Sequence, residues 1–442
     1  MKKTRILLSI IMTMALCMSF ALTALAEEQE LYTEAAITKL LQVPEGTEYP
    51  AMDFVFTVTP YKYNHSEDDL AKLPVIGAPI SGTGAGKITI SFDGPAAASP
   101  AETLEETAGN VSTYYLESTS LFAGAVFPNA GIYEYIIGET DSSYSIPSGS
   151  LHEAMVLSLA KYHVTVLIRE NADKVPYIYH IGVVRITKEG GSAGTDKVDP
   201  TPGGDGEETF YSQMSFTNQY VRTNGAPNPD NPDPKKPDTT DPDPENPFTS
   251  DSTLNISKLV KGELGSQSMP FEFKMTINVP NLIPSYVLSY YKAYLVDASG
   301  VLDPTGTVDS TLIGTDTSTK AYKYIKFVTG SAVDFQLTHG QTLVFVNTPV
   351  GTTYNVEETA ETGYLTTITV FYNSIKNAVA TSLITAGLVG EKYNAADYTN
   401  DFGDYTPGGL NVNDLPFYGM ILFAIGGLVT FVVIKMRKRN RG

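Results

Sequence analysis

Most of the chain is written in short runs in which every second residue is apolar. MDFVFTVTPY, GKITISFDG, AGIYEYIIGE, KYHVTVLIRE and PYIYHIGVVRIT fall in its first half, and PFEFKMTINV, QTLVFVNTP, GTTYNVEET and YLTTITVFYN in its second. A period of two sends alternate side chains to opposite faces of an extended backbone, so each run buries one face only by pairing and packing as a strand. Gly, Pro and Asn interrupt the runs, and long helical patterns are few. The pattern predicts an all-β fold of antiparallel sandwiches. LHEAMVLSLAK, residues 151–161, fits either a helix or a strand, and both readings stand.

At 442 residues the chain exceeds one ordinary core. The sharpest break in composition is APNPDNPDPKKPDTTDPDPENP, where eight prolines fall between Pro227 and Pro247 among Asp and Asn. Such a stretch cannot bury a core and predicts an extended, semi-rigid linker over residues 223–250. It separates a first sandwich domain over 27–222 from a second over 251–403.

Both ends are of another kind. Lys2, Lys3 and Arg5 precede an apolar run that closes on Ala24-Leu25-Ala26, which predicts a secretory signal peptide over 1–26. From Phe417 to Ile434 stand 18 uncharged, mostly apolar residues, followed by Lys435, Arg437, Lys438, Arg439 and Arg441. That length suits a membrane-spanning helix over 417–434, and the basic cluster places a tail of 435–442 in the cytoplasm. The body is therefore expected to be exported and held at the membrane.

The formal net charge is -19, although both ends are basic. An acidic exported region argues against nucleic acid and against adsorption to anionic lipid. The one cysteine, Cys17, lies inside the leader, so the mature chain has no disulfide to draw on and any covalent staple must use other chemistry.

One residue breaks the apolar rows in the same way twice. In LNISKLV the row Leu254, Ile256, Lys258, Val260 holds a lysine, and so does the row Ala35, Ile37, Lys39, Leu41, Val43 in EAAITKLLQV. A lysine at a strand end commonly snorkels to water, but a repeated one in mid-row calls for a partner. Each half supplies an acid and an amide in the same order. Glu139 closes the row Tyr133, Tyr135, Ile137, and Asn218 follows Met214 and Phe216. In the second half Glu358 follows Tyr354 and Val356, and Asn400 follows Tyr398.

Those side chains suggest a reaction. Burial lowers a lysine's pKa, and the neutral amine is a nucleophile. The carboxamide of asparagine offers an electrophilic carbon, and a buried, protonated glutamate can polarise it and pass a proton to departing ammonia. The product is a Lys-Asn isopeptide bond within the chain, made once and without a cofactor. Between the first and last strands of a sandwich it would carry tension past the hydrogen-bond ladder and restrict the unfolded chain as a disulfide does. The alternative is a buried Lys–Glu ion pair beside an asparagine, an arrangement that adds little stability.

LNISKLVKGELGSQSMPFEFKMTI, TPVGTTYNVEE and DYTN resemble the second domain of FctA-type (T-antigen) major pilins of Gram-positive bacteria, and AAITKLL, AGIYEYIIGET and MSFTNQY resemble the first. The resemblance covers nearly the whole mature chain. It implies two tandem immunoglobulin-like (CnaB-type) β-sandwiches, each with a Lys-Asn isopeptide and a catalytic glutamate: Lys39 with Asn218 and Glu139, and Lys258 with Asn400 and Glu358. It further implies a structural subunit of a surface pilus, whose partners are other pilin subunits, a sortase and the peptidoglycan cell wall, with the C-terminal helix as membrane anchor of the precursor.

Two departures stand out. The family carries a sortase signal of the LPXTG kind before the membrane helix, whereas residues 404–416 here contain Thr406-Pro407-Gly408-Gly409, with Gly408 where the family has threonine. Either a sortase of altered specificity accepts this stretch or the protein stays membrane-anchored. The family also places an intersubunit acceptor lysine near the end of the first domain. Here that region, RITKEGGSAGTDKVDPTPGGDGEE, is longer and offers Lys188 and Lys197, with Lys235 and Lys236 as remoter candidates.

Other chemistries lack residues to perform them. The five histidines (65, 152, 163, 180 and 339) show no metal-ligand spacing, so neither metal nor cofactor is expected. TGAGKIT lacks the spacing of a phosphate loop and reads as a turn before a strand. The rival to a pilus subunit is a binding module, a non-polymerised membrane- or wall-anchored adhesin with a host or surface ligand. A turnover enzyme is the third class, and only the single-use Lys-Glu-Asn sets speak for it.

Overall fold

The structure is a computed structural model that describes residues 31–144, 146, 153–204, 210–223, 254–315, 321–379 and 383–403. The expected signal peptide, the proline-rich segment with Lys235 and Lys236, the stretch Thr406–Gly409, the apolar segment 417–434 and the basic tail lie outside the described residues. Within them the protein is all-β: the helical pieces are single 3-10 turns at Leu70–Lys72, Pro284–Tyr286 and Ser310–Leu312. By their internal packing the described residues divide into two compact units, one within 31–222 together with Pro280–Val287, the other within 223–279 and 288–403.

The first unit holds β1 (Thr38–Pro44), β2 (Met52–Tyr63), β3 (Ala78–Pro79), β4 (Gly86–Phe92), β5 (Thr103–Ala108), β6 (Val111–Glu117), β7 (Gly131–Ser142), β8 (Glu153–Val156), β9 (Lys161–Glu170), β10 (Pro176–Thr187), β11 (Ala193–Val198) and β12 (Ser215–Arg222). They form a sheet in the order β5-β6-β1-β12-β8 and another in the order β11-β10-β9-β7-β2-β4-β3. The ambiguous segment at 151–161 is resolved by pairing: Glu153–Val156 runs antiparallel to β12 at the sheet edge. Residues 81–83 turn ahead of β4, as the TGAGKIT stretch predicted.

The core of this unit lies between the two sheets. Ile37, Leu41 and Phe216 from one sheet pack with Phe54, Phe56, Tyr135, Ile137 and Val164 from the other. Phe56 and Phe216 meet with ring centroids 4.9 Å apart, an arrangement in which an aromatic pair adds about 1 kcal/mol beyond its area burial. β9 shows the alternation most plainly: Tyr162, Val164, Val166 and Ile168 are buried while the residues between them are partly open.

The second unit holds β13 (Leu254–Lys261), β14 (Phe271–Asn278), β15 (Tyr291–Asp297), β16 (Gly300–Val301), β17 (Ile313–Thr315), β18 (Lys323–Phe327), β19 (Ala332–Leu337), β20 (Thr342–Val346), β21 (Thr353–Glu358), β22 (Leu365–Tyr372), β23 (Ile375–Val379), β24 (Leu383–Leu388) and β25 (Asn394–Asp401). The larger sheet runs β17-β18-β15-β20-β13-β25-β22-β23 with β16 beside β15, and the smaller β19-β14-β21-β24. Leu254, Ile256 and Tyr398 face Phe271, Phe273, Met275 and Val356 across the core.

The two units share one uncommon pairing. In each, the first strand lies parallel to the last inside an otherwise antiparallel sheet, β1 beside β12 and β13 beside β25. A parallel neighbour needs a long crossover, and here the whole unit is that crossover.

Candidate functional site

Parallel register places the amine and the amide on one face. Asn218 pairs with Leu41, two residues beyond Lys39, and Asn400 pairs with Val260, two residues beyond Lys258. Because side chains alternate with period two, Lys39 and Leu41 share the inward face, so lysine and asparagine become diagonal neighbours under the core.

The acid comes from the opposite sheet. Glu139 lies in β7 opposite Phe56, and the register between β2 and β7 shifts just there, with Val55 opposite Asp141 and Phe56 opposite Glu139. Thr140 is the extra residue of a bulge, a device that bends a strand and re-aims a side chain. Glu358 ends β21 opposite Phe273.

In the first unit Lys39 Nζ donates to Glu139 Oε2 at 2.8 Å and Asn218 Nδ2 donates to Glu139 Oε1 at 2.7 Å. Both charged side chains are 0% exposed. In the second unit Lys258 Nζ and Asn400 Nδ2 both donate to Glu358 Oε1, at 2.6 and 2.5 Å. Glu358 Oε2 and Asn400 Oδ1 are buried without a hydrogen-bond partner. The six residues that the sequence singled out are thus brought together as two threes, Lys39-Glu139-Asn218 and Lys258-Glu358-Asn400.

A phenylalanine covers each amine. Lys39 Nζ lies 4.5 Å from the Phe54 ring centroid, and Lys258 Nζ lies 4.0 Å from that of Phe271. Removal from water outweighs the pull of the neighbouring carboxylate, so burial lowers both lysines from the ordinary 10.5 to about 8. A buried ion pair of this kind adds little to stability, so the geometry is better suited to chemistry than to support. The carboxylate that accepts from the lysine also accepts from the asparagine amide nitrogen, through its other oxygen in the first unit and through the same oxygen in the second.

Four participants were missed from sequence. The rings of Phe54 and Phe271 left a legible trace, since Phe-x-Phe stands at or near the start of the second strand of both units. Ser158 and Glu189 of the first unit left none. Ser158 N donates to Asn218 Oδ1 at 2.7 Å, and Glu189 Oε1 accepts from Thr217 N at 3.0 Å. Two histidines distant in sequence also meet: His65 Nδ1 and His163 Nε2 lie 2.9 and 2.8 Å from the two oxygens of Glu134.

The candidate acceptor lysines are accessible. Lys188 follows β10 and lies 3.8 Å from Asp196 with its side chain 49% exposed. Lys197 is exposed on β11, which ends its sheet.

The family described as "Domain of unknown function (DUF7601)" matches residues 252–401. No curated protein matches the chain. Among solved structures, the chain is similar to the major pilin of Streptococcus pyogenes at 17% identity, covering 85% of this chain and 100% of that one with a TM-score of 0.30. The T3.2 major pilin of the same organism is similar at 16% identity, covering 84% and 99%, with a TM-score of 0.28. A pilus-presented adhesin is similar at 16% identity over 55% of this chain and 35% of that one, with a TM-score of 0.21.

Proposed function

We propose that the protein is a structural subunit of a cell-surface pilus whose two units are each closed by an internal amide, Lys39 to Asn218 and Lys258 to Asn400. The observation that carries this reading is the repetition: two buried Lys-Glu-Asn sets, each joining the first strand of a unit to its last with the same two-residue register offset.

The step is an acyl transfer. The neutral Nζ attacks the asparagine Cγ, the Nζ–Cγ bond forms, the Cγ–Nδ2 bond breaks and ammonia leaves. The glutamate takes the proton from the amine and returns it to Nδ2, the atom it already holds at 2.7 Å in the first unit and 2.5 Å in the second. Each site reacts once, so the product is a cross-link and not a turnover. Export, immunoglobulin-like sandwiches of the CnaB type and attachment through a sortase near Thr406–Gly409 complete the reading, with Lys188 and Lys197 as acceptors for the next subunit.

The test is intact mass. The parent chain should be lighter than its sequence by two ammonia molecules, and Glu139→Ala and Glu358→Ala should each restore one. A parent at full mass would leave both lysines as ion-pair partners and remove the main support for a pilus subunit.

Gly408, standing where FctA-type pilins have threonine, favours a second reading: an anchored adhesin built from the same units but not polymerised. Blotting of wall extracts separates the two. A detergent-resistant ladder means polymer, and a single band means anchored monomer.

A further inference from the structure

The two sites differ at the carboxamide oxygen. Asn400 Oδ1 is buried and has no hydrogen-bond partner, whereas Asn218 Oδ1 accepts from the backbone N–H of Ser158 at 2.7 Å. During attack on Cγ, negative charge collects on that oxygen, and a donor already aimed at it stabilises the intermediate without reorganisation.

Ser158 is not a chance neighbour. It is 4% exposed, between β8 and β9, and its hydroxyl is fixed from two sides: Oγ accepts from Ala160 N at 3.1 Å and donates to Glu189 Oε2. The other oxygen of Glu189 accepts from the N–H of Thr217, the residue just before Asn218. Leu159 N donates to the Glu189 carbonyl at 3.3 Å. One side chain, from the turn between β10 and β11, therefore ties the loop that carries the donor to the strand that carries the acceptor.

We propose that the Ser158 N–H is an oxyanion donor for Asn218 and that Glu189 is the positioning residue that holds it there. The proposal rests on amide formation at Lys39, as set out above. The second unit works without this device, which makes its bond an internal clock in the same molecule.

The experiment follows both bonds by timed peptide mapping of the full chain, in the parent and in Ser158→Ala, Glu189→Gln and Ser158→Thr. The folded fraction of each is measured by protease resistance. Ser158→Ala and Glu189→Gln should slow the Lys39–Asn218 bond per folded chain by about tenfold or more, short of the roughly hundredfold or greater loss of a deleted oxyanion donor because the N–H itself remains. The Lys258–Asn400 bond should keep its parent rate, and Ser158→Thr should restore the first. The pH at which the first bond reaches half its plateau rate should not move in Ser158→Ala, because Lys39 sets it, whereas Glu189→Gln removes a carboxylate whose charge raises Lys39 and should shift that midpoint downward.

Formation at the parent rate in both variants would overturn the proposal. So would variants whose first unit is unfolded, since Ser158 and Glu189 would then be structural. A parent lacking the first bond altogether would overturn the underlying reading, an outcome recognisable before any variant is compared.

Discussion

Lys39 and Asn218 project from adjacent parallel strands with an offset of two residues, and both reach one carboxylate that crosses from the facing sheet. Lys258 and Asn400 repeat the offset, although glutamate and asparagine are 79 residues apart in one unit and 42 in the other. Register, not loop length, sets the geometry. Strand pairing moves in steps that send each side chain wholly inward or outward, so the intervening chain can vary without shifting the reacting atoms.

If the amides form, they close very long loops. Confining the ends of such a loop removes entropy from the unfolded chain that grows as the logarithm of its length, which amounts to about 5 kcal/mol for a loop of more than 100 residues. Asn218→Ala leaves Lys39 paired with Glu139 and removes only the electrophile. It should therefore lower the unfolding free energy of the first unit by about 4 to 5 kcal/mol and leave the second unit's transition in place. Urea unfolding followed by limited proteolysis reports each unit. A first transition unchanged within about 1 kcal/mol would mean that no bond had been there to lose.

The depressed lysine gives a pH signature to the same variant. In Asn218→Ala the amine persists, and burial holds it near 8 in the folded chain against 10.5 in the unfolded one. Between those values the unfolded state binds more protons, so stability rises with pH. The stabilising contribution is complete above about 10.5 and is lost as pH falls through about 8. Buried tyrosines such as Tyr135, pushed up by desolvation, titrate in the opposite sense, so the comparison is with Asn218→Ala carrying Lys39→Met as well. The urea midpoint of the single variant should climb across this window relative to the double. Parallel curves would place Lys39 in water.

Much of this was legible because it depends on period two. KYHVTVLIRE is β9 residue for residue, and the breaks in the apolar rows at Lys39, Glu139, Asn218, Lys258, Glu358 and Asn400 mark the residues that meet. What escaped lacks that signal. β5 is exposed along its whole length and β11 is polar, so neither alternates, and both are strands because a neighbour offers an edge. Ser158 stands in a segment whose pattern fits both helix and strand and Glu189 in one without periodicity, and only the return of β12 beside β8 brings them to Asn218. His65 and His163 converge on Glu134 through pairing of β7 with β9 and a left-handed turn at Asn64 and His65, which no spacing in the sequence encodes.

The proposed role in a pilus would load the chain along its length, and the strands that bore the load would be the first and last of each unit. In the unlinked first unit, pulling on β1 and β12 shears the backbone ladder from Thr38–Ser215 to Gln42–Gln219 and then extends everything between. With Lys39 joined to Asn218, force enters at one end of the amide and leaves at the other, and the residues between them are never drawn out. Single-molecule pulling on the chain should therefore release no contour length from between 39 and 218, or between 258 and 400. Glu139→Ala should restore the first of these extensions and Glu358→Ala the second, each as a separate step. The size of each step reads which residues were enclosed, so the measurement locates the bond as well as detecting it. Full extension of the parent would show that tension runs through the ladders and that the buried lysines carry none of it.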